Sequence, residues 1–220
     1  MAEFDTPEFR SVLKQIILDI SATSLENTLK QDIATTIWRL EHDAQALVVK
    51  RYNTQNLWHA IRRSFRRSRA RNCWDMSKIF MQSGINTPAR IAVIQEWLGP
   101  FKLRSWFINR YVDGVDLDQY LYARSSHRHP EAKRIKNVYD DVVSLFKNLS
   151  IHRLAHGDLK ATNILLSEDK LYLIDLDAAH QYKFWPGLKR ARRKDWRRFM
   201  KNWQRQAEVQ RLFETIKAHQ

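Results

Sequence analysis

The stretch AHGDLKATNILL, residues 155–166, constrains the fold most strongly, because it sets polar side chains in close order inside an apolar context. These side chains belong to His156, Asp158, Lys160 and Asn163. A polar SED turn then separates ILL from a second apolar run, KLYLIDL, and this pattern predicts a β-hairpin. The polar cluster precedes the first strand of this hairpin and Asp175 lies near the end of the second strand, so they are on two sides of the hairpin. These polar residues decide whether the chain is an enzyme or a charged binding module.

The spacing within this segment matches a known catalytic pattern. HGDLKATN agrees with H-R-D-L-x-x-x-N at every fixed position except Gly157, and Asp175 follows Asn163 by twelve residues. Phosphoryl transfer from a nucleotide needs a carboxylate that accepts the proton of the attacking hydroxyl, and oxygen ligands that hold Mg²⁺ against the phosphates. The pattern therefore predicts Asp158 as the base and Asn163 with Asp175 as the magnesium ligands.

Two lysines complete the predicted site. From Ala34 to Tyr52 two apolar, β-branched runs flank a polar EHDAQ turn, which predicts a second hairpin. Lys50 lies near the end of its second strand, where a cation for the nucleotide phosphates is expected. The alternative for Lys50 is a solvent-facing lysine of an edge strand. Lys160, two residues after Asp158, is predicted to stabilise charge on the transferred phosphoryl group.

The other patterns predict a small sheet followed by helices. Apolar residues recur at helical spacing over 57–83, and Gly84 and Pro88 in SGINTP end this helix. IAVIQEW and LRSWFINRYVDG predict two further strands. Residues 131–150 form an amphipathic helix, and the basic segment from Trp185 onward is predicted to be helical. The chain is therefore predicted to be an α+β protein, with a mostly antiparallel sheet and one main helix before a mainly helical part.

The charge of the chain restricts its partners. The formal net charge is +14 in 220 residues, which implies attraction to a polyanion such as nucleic acid, an anionic membrane or a phosphorylated substrate. Two basic blocks contribute much of it, RRSFRRSRAR at 62–71 and KRARRKDWRR at 189–198. Either block can also be an ordinary solvated helix face.

The composition also indicates a compartment. The single cysteine, Cys73, excludes an intramolecular disulfide and favours a reducing environment. The first residues mix acids and bases from the third position, unlike a secretion signal. No apolar run approaches the roughly 18 residues that indicate a membrane span. We therefore expect a cytoplasmic protein.

The tryptophans have two interpretations. Trp196, Phe199 and Trp203 lie three and four residues apart, so on a helix they form one apolar strip flanked by basic residues. This arrangement is typical of a helix that lies in the headgroup plane of a membrane, outside the catalytic lobe. The alternative is that the strip packs as core against the helix predicted at 131–150. For Trp38, Trp74 and Trp106 we expect packing within the protein.

Several segments together resemble one family. RYNTQNLWHAIRRSFRRSRARNCW, GINTPARIAVIQ, INRYVDGVDL, HGDLKATNILL and LIDLD are similar to the lipopolysaccharide core kinases, the heptose and Kdo kinase family with its InaA-like members. The resemblance covers about residues 34–200, and GIxTP and HGDLKxxN are its specific elements. It implies a protein-kinase-like two-lobe fold, with an N-lobe at 1–113 and a reduced C-lobe at 114–220.

The resemblance also implies an activity and a site. The family uses ATP and Mg²⁺ to phosphorylate a sugar hydroxyl of the lipopolysaccharide inner core, at the cytoplasmic face of the inner membrane. Carried over, Asp158 is the catalytic aspartate, Lys50 the ATP-phosphate lysine, and Asn163 and Asp175 the metal ligands. Backbone groups around three consecutive residues would meet the adenine: Arg110, Tyr111 and Val112.

The chain departs from protein kinases at several points. No glycine precedes Gly84, so no G-x-G-x-x-G loop covers the phosphates, and a loop around LKQDIATT would have to serve. The helix after Lys50 has no glutamate, and its only acid is Asp75. Asp177 stands where protein kinases carry glycine. Only about 45 residues follow Asp175, less than the helical subdomain that binds protein substrates would need, so a small or lipid-linked acceptor fits better.

Two alternatives stay open beside the core-kinase hypothesis. One is a kinase of the same superfamily that acts on a protein or another small molecule. The other is a non-catalytic pseudokinase, suggested by the missing glycine loop and the missing helix glutamate. The charge alone does not choose among polyanions. Under the core-kinase hypothesis the expected partners are an anionic glycolipid acceptor and an anionic membrane surface, with peripheral attachment, and nucleic acid is not expected. The sequence leaves the oligomeric state open.

Overall fold

The structure is a computed structural model that describes residues 28–31, 34–42, 45–53, 67–122 and 132–216. The chain divides into two compact units. The first unit comprises residues 1–74 and 89–111, and the second comprises 75–88 and 112–220. Residues 75–88 thus belong to the second unit, whereas the predicted lobe boundary at 113 and 114 assigns them to the first lobe.

The first unit is built on one antiparallel sheet. Its strands are β1 Thr28–Gln31, β2 Thr35–His42, β3 Gln45–Tyr52, β4 Arg90–Leu98 and β5 Phe101–Arg110. Their order is β1-β2-β3-β5-β4, and every neighbouring pair is antiparallel. The predicted hairpin and the two later strands are confirmed. Strand β1 takes up most of the first half of LKQDIATT, and β2 begins within its second half, so that segment is largely strand where it is described.

Side chains of this sheet alternate between two apolar layers, as the period of two in a strand requires. One layer buries Trp38, Leu47, Val49, Ala92, Trp106 and Ile108. The other buries Tyr52 and Phe107 against Ala70 and Cys73 of helix α1, Arg69–Gln82. Burial of Trp38 and Trp106 confirms the expectation that these tryptophans pack within the protein.

Helix α1 ends where the sequence predicts. Gly84 has φ +72°, a conformation that glycine adopts without steric cost. The N–H of Ile85 donates to the carbonyl of Phe80 at 3.0 Å, and that of Gly84 to the carbonyl of Met81 at 3.1 Å. These two hydrogen bonds form a Schellman cap, which satisfies the last carbonyls of the helix. The earlier part of the predicted helix, 57–66, lies outside the described residues.

The second unit is mainly helical with two small sheets. Its helices are α2 Leu117–Tyr122, α3 Ala132–Ile151, α4 Trp185–Lys201 and α5 Ala207–Glu214. Its strands are β6 Val115–Asp116, β7 Leu154–Ala155, β8 Ile164–Ser167, β9 Lys170–Leu173 and β10 His180–Gln181. Strand β8 pairs with β6 and β9, and β7 pairs with β10. The amphipathic helix and the final hairpin are confirmed, although β9 ends before Asp175 because a 3₁₀ turn follows at Leu176–Ala178.

Aromatic rings of α3, α4 and α5 form the centre of the second unit. Trp203 and Phe199 have no exposed surface, and the ring of Phe199 lies 5.3 Å from that of Phe146 and 5.0 Å from that of Phe213. Trp196 is half-buried, with its ring 5.3 Å from Phe146. The prediction that this strip anchors the chain in a membrane is therefore wrong. The strip is core, because helix α4 turns it toward α3.

Within the described ranges, no helix combines the length and the apolar character needed to cross a bilayer.

Candidate active site

The loop HGDLKATN lies between two short structural elements that fix its ends. Strand β7 pairs with β10, with Ala155 opposite His180, and the loop starts at the next residue. A 3₁₀ turn, Ala161–Asn163, closes the loop and leads directly into β8. Leu159 and Ala161 are fully buried and anchor the loop, whereas the side chains of Asp158 and Lys160 remain partly exposed.

Asp195 of helix α4 holds the start of the loop. One of its carboxylate oxygens, Oδ2, accepts the backbone N–H of His156 at 2.7 Å and that of Gly157 at 3.1 Å. Asp195 is buried, and a carboxylate that accepts backbone N–H groups forms strong, charge-assisted hydrogen bonds. The sequence analysis missed this residue. Its one signal was a lone acid inside the basic block at 189–198.

Gly157 explains the single departure from the catalytic pattern. Its φ is +84°, and a Cβ at this position would lie 2.9 Å from both the carbonyl carbon and the Cβ of Ala178. An arginine, or any other side chain, would therefore collide with the neighbouring backbone. The conformation of the loop requires glycine here.

Two cations contact the carboxylate of Asp158, one at each oxygen. Arg198 Nη1 lies 3.1 Å from Oδ1, and Lys160 Nζ lies 2.9 Å from Oδ2. Arg198 also donates a hydrogen bond to the carbonyl of Gly157. The Asp158 side chain keeps 28% of its surface exposed, so a small hydroxyl can approach it. Arg198 is the second residue of the site that the sequence analysis missed.

His156 supports the loop from inside the core. Its Nε2 lies 2.9 Å from the carbonyl oxygen of Ile174, and its Nδ1 accepts the N–H of Asp158 at 3.3 Å. These partners require a neutral ring with the proton on Nε2. Burial lowers the pKa of His156, although the charge of Asp195 acts in the opposite direction. The effect of burial on the pKa is the larger one, because the ring has no exposed surface.

Asn163 and Asp175 flank the hairpin of β8 and β9, Asn163 directly before β8 and Asp175 two residues after β9. The Nδ2 of Asn163 donates to the carbonyl of Asp158 at 2.9 Å, and the N–H of Ile174 donates to the carbonyl of Asn163 at 3.0 Å. Since Nδ2 is used in this way, Oδ1 is the side-chain atom of Asn163 that can bind a cation. Asp175 follows Ile174 in a left-handed conformation, φ 65° and ψ 54°.

This donor set fits magnesium. Mg²⁺ prefers hard oxygen ligands and keeps several waters, so one amide oxygen and one carboxylate are a suitable protein contribution. In the part of the chain that the structure describes, no group of three or more His, Cys, Asp or Glu residues is placed to hold a metal. A thiolate or histidine metal centre is therefore not found among those residues.

The predicted nucleotide-binding residues of the first unit lie on its sheet. Lys50 is 8% exposed, and β3 pairs on both sides, with Ile37 and Phe107 opposite Lys50. The alternative of a solvent-facing lysine on an edge strand is therefore wrong. The N–H of Arg110 donates to Ala89 at 2.8 Å, and that of Tyr111 donates to Ala46 at 2.8 Å.

The sheet and helical units, together with a catalytic loop of the H-x-D-L-x-x-x-N pattern, define a phosphotransferase with a protein-kinase-like fold. The sequence model of the lipopolysaccharide kinase (Kdo/WaaP) family matches residues 30–218. The chain belongs to this family. A solved structure titled "WaaP in complex with acyl carrier protein" is similar, with a TM-score of 0.64 and 20% identity. The match covers 90% of this chain and 80% of that one, and it confirms the α+β, protein-kinase-like fold.

Proposed function

We propose that the chain transfers the γ-phosphoryl group of ATP to a sugar hydroxyl, of heptose or Kdo, in the lipopolysaccharide inner core. The observation that carries this proposal is the fixed position of the Asp158 carboxylate. It lies near the start of a loop tied to helix α4, and cations contact both of its oxygens. A positioned carboxylate of this kind accepts the proton of an attacking hydroxyl.

Asn163 and Asp175 are proposed to hold Mg²⁺, which, when bound, neutralises charge on the nucleotide phosphates. Lys50 is proposed to contact these phosphates, since its ammonium group is carried on a central strand. Lys160 is proposed to stabilise the transferred phosphoryl group, because its ammonium group already lies beside Asp158.

The adenine is proposed to contact backbone groups of Arg110, Tyr111 and Val112. The N–H groups of Arg110 and Tyr111 already donate within the sheet unit. The contacts to adenine therefore use the carbonyl groups and the backbone of Val112.

An acceptor of the sugar type suits the second unit. Helices α4 and α5 and the turn between them, which follow the β8–β9 hairpin, supply the core residues Phe199, Trp203 and Phe213. They are thus occupied in building the unit. A protein substrate needs a broad surface of about 800 Å² on each partner for stable binding, whereas a sugar needs a small polar site.

The experiment that tests this function compares Asp158→Asn with the wild type. The assay uses labelled ATP, Mg²⁺ and lipopolysaccharide from a strain that lacks this kinase. We expect transfer to fall by roughly 10²- to 10⁴-fold while ATP binding is kept, as when a positioned base is removed. Asp169→Asn, in the exposed turn between β8 and β9, is the matched control and should keep wild-type activity.

The alternatives give different results in the same experiment. Near-normal transfer by Asp158→Asn would show that Asp158 is not the base. A pseudokinase would show no transfer even for the wild type, and ATP with Mg²⁺ would leave its melting temperature unchanged if it binds no nucleotide. Transfer to a protein and not to lipopolysaccharide would support the protein-kinase alternative.

We further propose that the chain contacts an anionic membrane through an aromatic basic surface, defined as Ile151, Arg153, Lys183, Phe184 and Trp185. Phe184 is 79% exposed, Trp185 50% and Ile151 61%. The Arg153 guanidinium lies 5.7 Å from the centre of the Trp185 ring and donates to the carbonyl of Lys183 at 3.2 Å. Arg153 therefore joins the segment after helix α3, which ends at Ile151, to the residues at the start of helix α4.

The charge around this surface favours an anionic bilayer. No acidic residue occurs between Asp177 and Asp195, and Asp195 is buried. Lys189 and Arg190 of the next turn are exposed. Basic residues near an anionic leaflet each contribute about 1 kcal/mol of attraction, and exposed aromatic rings enter the headgroup region. This surface takes the place of the strip at 196–203 as the membrane contact.

Vesicle binding tests the membrane contact. Phe184→Ser with Trp185→Ser should lose binding to vesicles of phosphatidylglycerol and phosphatidylcholine, with no change in melting temperature. Met81→Ser removes another half-exposed apolar side chain of the second unit and should leave binding unchanged. Unchanged vesicle binding by the double variant, or preferential binding of RNA over vesicles by the wild type, would contradict the proposal.

A further inference from the structure

An arginine from helix α4, Arg198, contacts the loop that contains Asp158, although it lies about 40 residues later in the chain. Gly157 occupies the arginine position of H-R-D-L, and the neighbouring Ala178 leaves no room for a side chain there. Arg198, from helix α4, places its guanidinium beside the same loop residues. It contacts Oδ1 of Asp158 at 3.1 Å and donates to the carbonyl of Gly157.

Helix α4 holds the loop with two residues of one face. Asp195 and Arg198 are three positions apart, so they lie one above the other on the helix. Asp195 accepts the N–H groups of His156 and Gly157, while Arg198 binds the Gly157 carbonyl. The two residues before Asp158 are thus held through the N–H groups of His156 and Gly157 and through the carbonyl of Gly157. Arg198 also contacts the carboxylate of Asp158.

We propose that Arg198 is a positioning residue that fixes the Asp158 carboxylate through Oδ1 and leaves Oδ2 to accept the proton. This inference rests on the proposed role of Asp158. The hydroxyl oxygen of the acceptor bonds to the γ-phosphorus, its proton moves to Oδ2, and the bond from the γ-phosphorus to the bridging oxygen of ATP breaks, so that ADP leaves. Lys160, at Oδ2, is half-exposed and can yield its place to the hydroxyl.

The planar guanidinium suits this role better than an ammonium group. It presents several donors in a fixed geometry and can bind a carboxylate and a carbonyl at the same time, whereas a lysine acts as a point charge on a flexible chain. Arg198→Lys should therefore keep the charge and recover part of the activity, and Arg198→Gln should lose both contacts to Asp158 and Gly157.

The test is a double-mutant cycle on the transfer step. Single-turnover transfer from labelled ATP to lipopolysaccharide from the kinase-deficient strain is measured for Arg198→Gln, Asp158→Asn and the double variant. We expect Arg198→Gln to lower the transfer rate by roughly tenfold to a hundredfold, with KM for ATP within about twofold of wild type. In the Asp158→Asn background the same change should have no further effect, because its target is already removed.

Arg197→Gln is the matched control, since Arg197 is the exposed neighbour on the same helix. It should leave the transfer rate unchanged. If Arg198→Gln lowers the melting temperature, the cycle is run with Arg198→Lys, which keeps the charge.

Multiplicative losses in the double variant would show that Arg198 acts independently of Asp158 and would overturn the inference. A wild-type transfer rate in Arg198→Gln, together with an inactive Asp158→Asn, would also overturn the inference. An active Asp158→Asn would instead contradict the proposed function.

Discussion

His156 shows at the scale of one residue how the loop depends on a buried neutral ring. Its two nitrogens contact Ile174 and Asp158, on the two chain segments that form the site. A proton added to Nδ1 would break the hydrogen bond from the N–H of Asp158, because Nδ1 could no longer accept it. The position of Asp158, the proposed base, is therefore coupled to the protonation state of His156.

The lowered pKa of His156 predicts a pH-dependent stability. Below the ordinary pKa of 6.5, the unfolded chain binds a proton that the folded chain excludes, so the free energy of unfolding falls as the pH falls toward the lower folded pKa. His156→Gln, whose amide can still donate to Ile174, should lose this part of the pH dependence. Urea denaturation of both proteins between about pH 5 and 8 measures it. Equal loss of stability in the two proteins would contradict the assignment.

Asp175 combines a strained backbone with the proposed metal site. Asparagine is, after glycine, among the residues that best tolerate its left-handed conformation, so Asp175→Asn should change the stability by only about 0.5 kcal/mol. The same variant lacks the carboxylate and should lose Mg²⁺-dependent ATP binding. Calorimetry with and without Mg²⁺ separates the two effects. Unchanged affinity for ATP with Mg²⁺ would rule out Asp175 as a ligand.

Helix α4 has three functions at the scale of one element. Its aromatic residues Trp196 and Phe199 pack in the core, Asp195 and Arg198 contact the loop at 156–158, and its first residue, Trp185, belongs to the aromatic basic surface. The sequence predicted the helix and its apolar strip, because both follow from helical periodicity. Periodicity does not reveal which surface covers the strip, so the membrane interpretation of Trp203 was wrong.

Trp203 and Trp185 therefore differ in what they contribute to stability. Trp203→Ala should lower the free energy of unfolding by about 3–5 kcal/mol, because it leaves a cavity among the rings of Phe199 and Phe213. Trp185→Ala, at an exposed site, should change it by no more than about 0.5 kcal/mol. Urea denaturation of both variants tests this contrast. Similar losses in the two would contradict the assignment of Trp203 to the core.

Features of the molecule that depend on neighbouring residues could be predicted from the sequence. The hairpin that carries Lys50, the cap at Gly84 and the order of the loop residues from Asp158 to Asn163 all follow from neighbouring residues. Strands of two residues, such as β7 and β10, have no periodicity to detect. The contacts of Asp195 and Arg198 join residues about 40 positions apart, and a single sequence gives no signal for such a pair.

At the scale of the whole molecule, we propose that the chain phosphorylates the lipopolysaccharide core with Asp158 as its base. The most direct measurement is mass spectrometry of core oligosaccharide from a strain deleted for this chain and supplied with either the wild type or Asp158→Asn. We predict that the wild type restores a phosphate on a core sugar and that Asp158→Asn does not, although both proteins fold. Identical core oligosaccharides from the two strains would contradict the account.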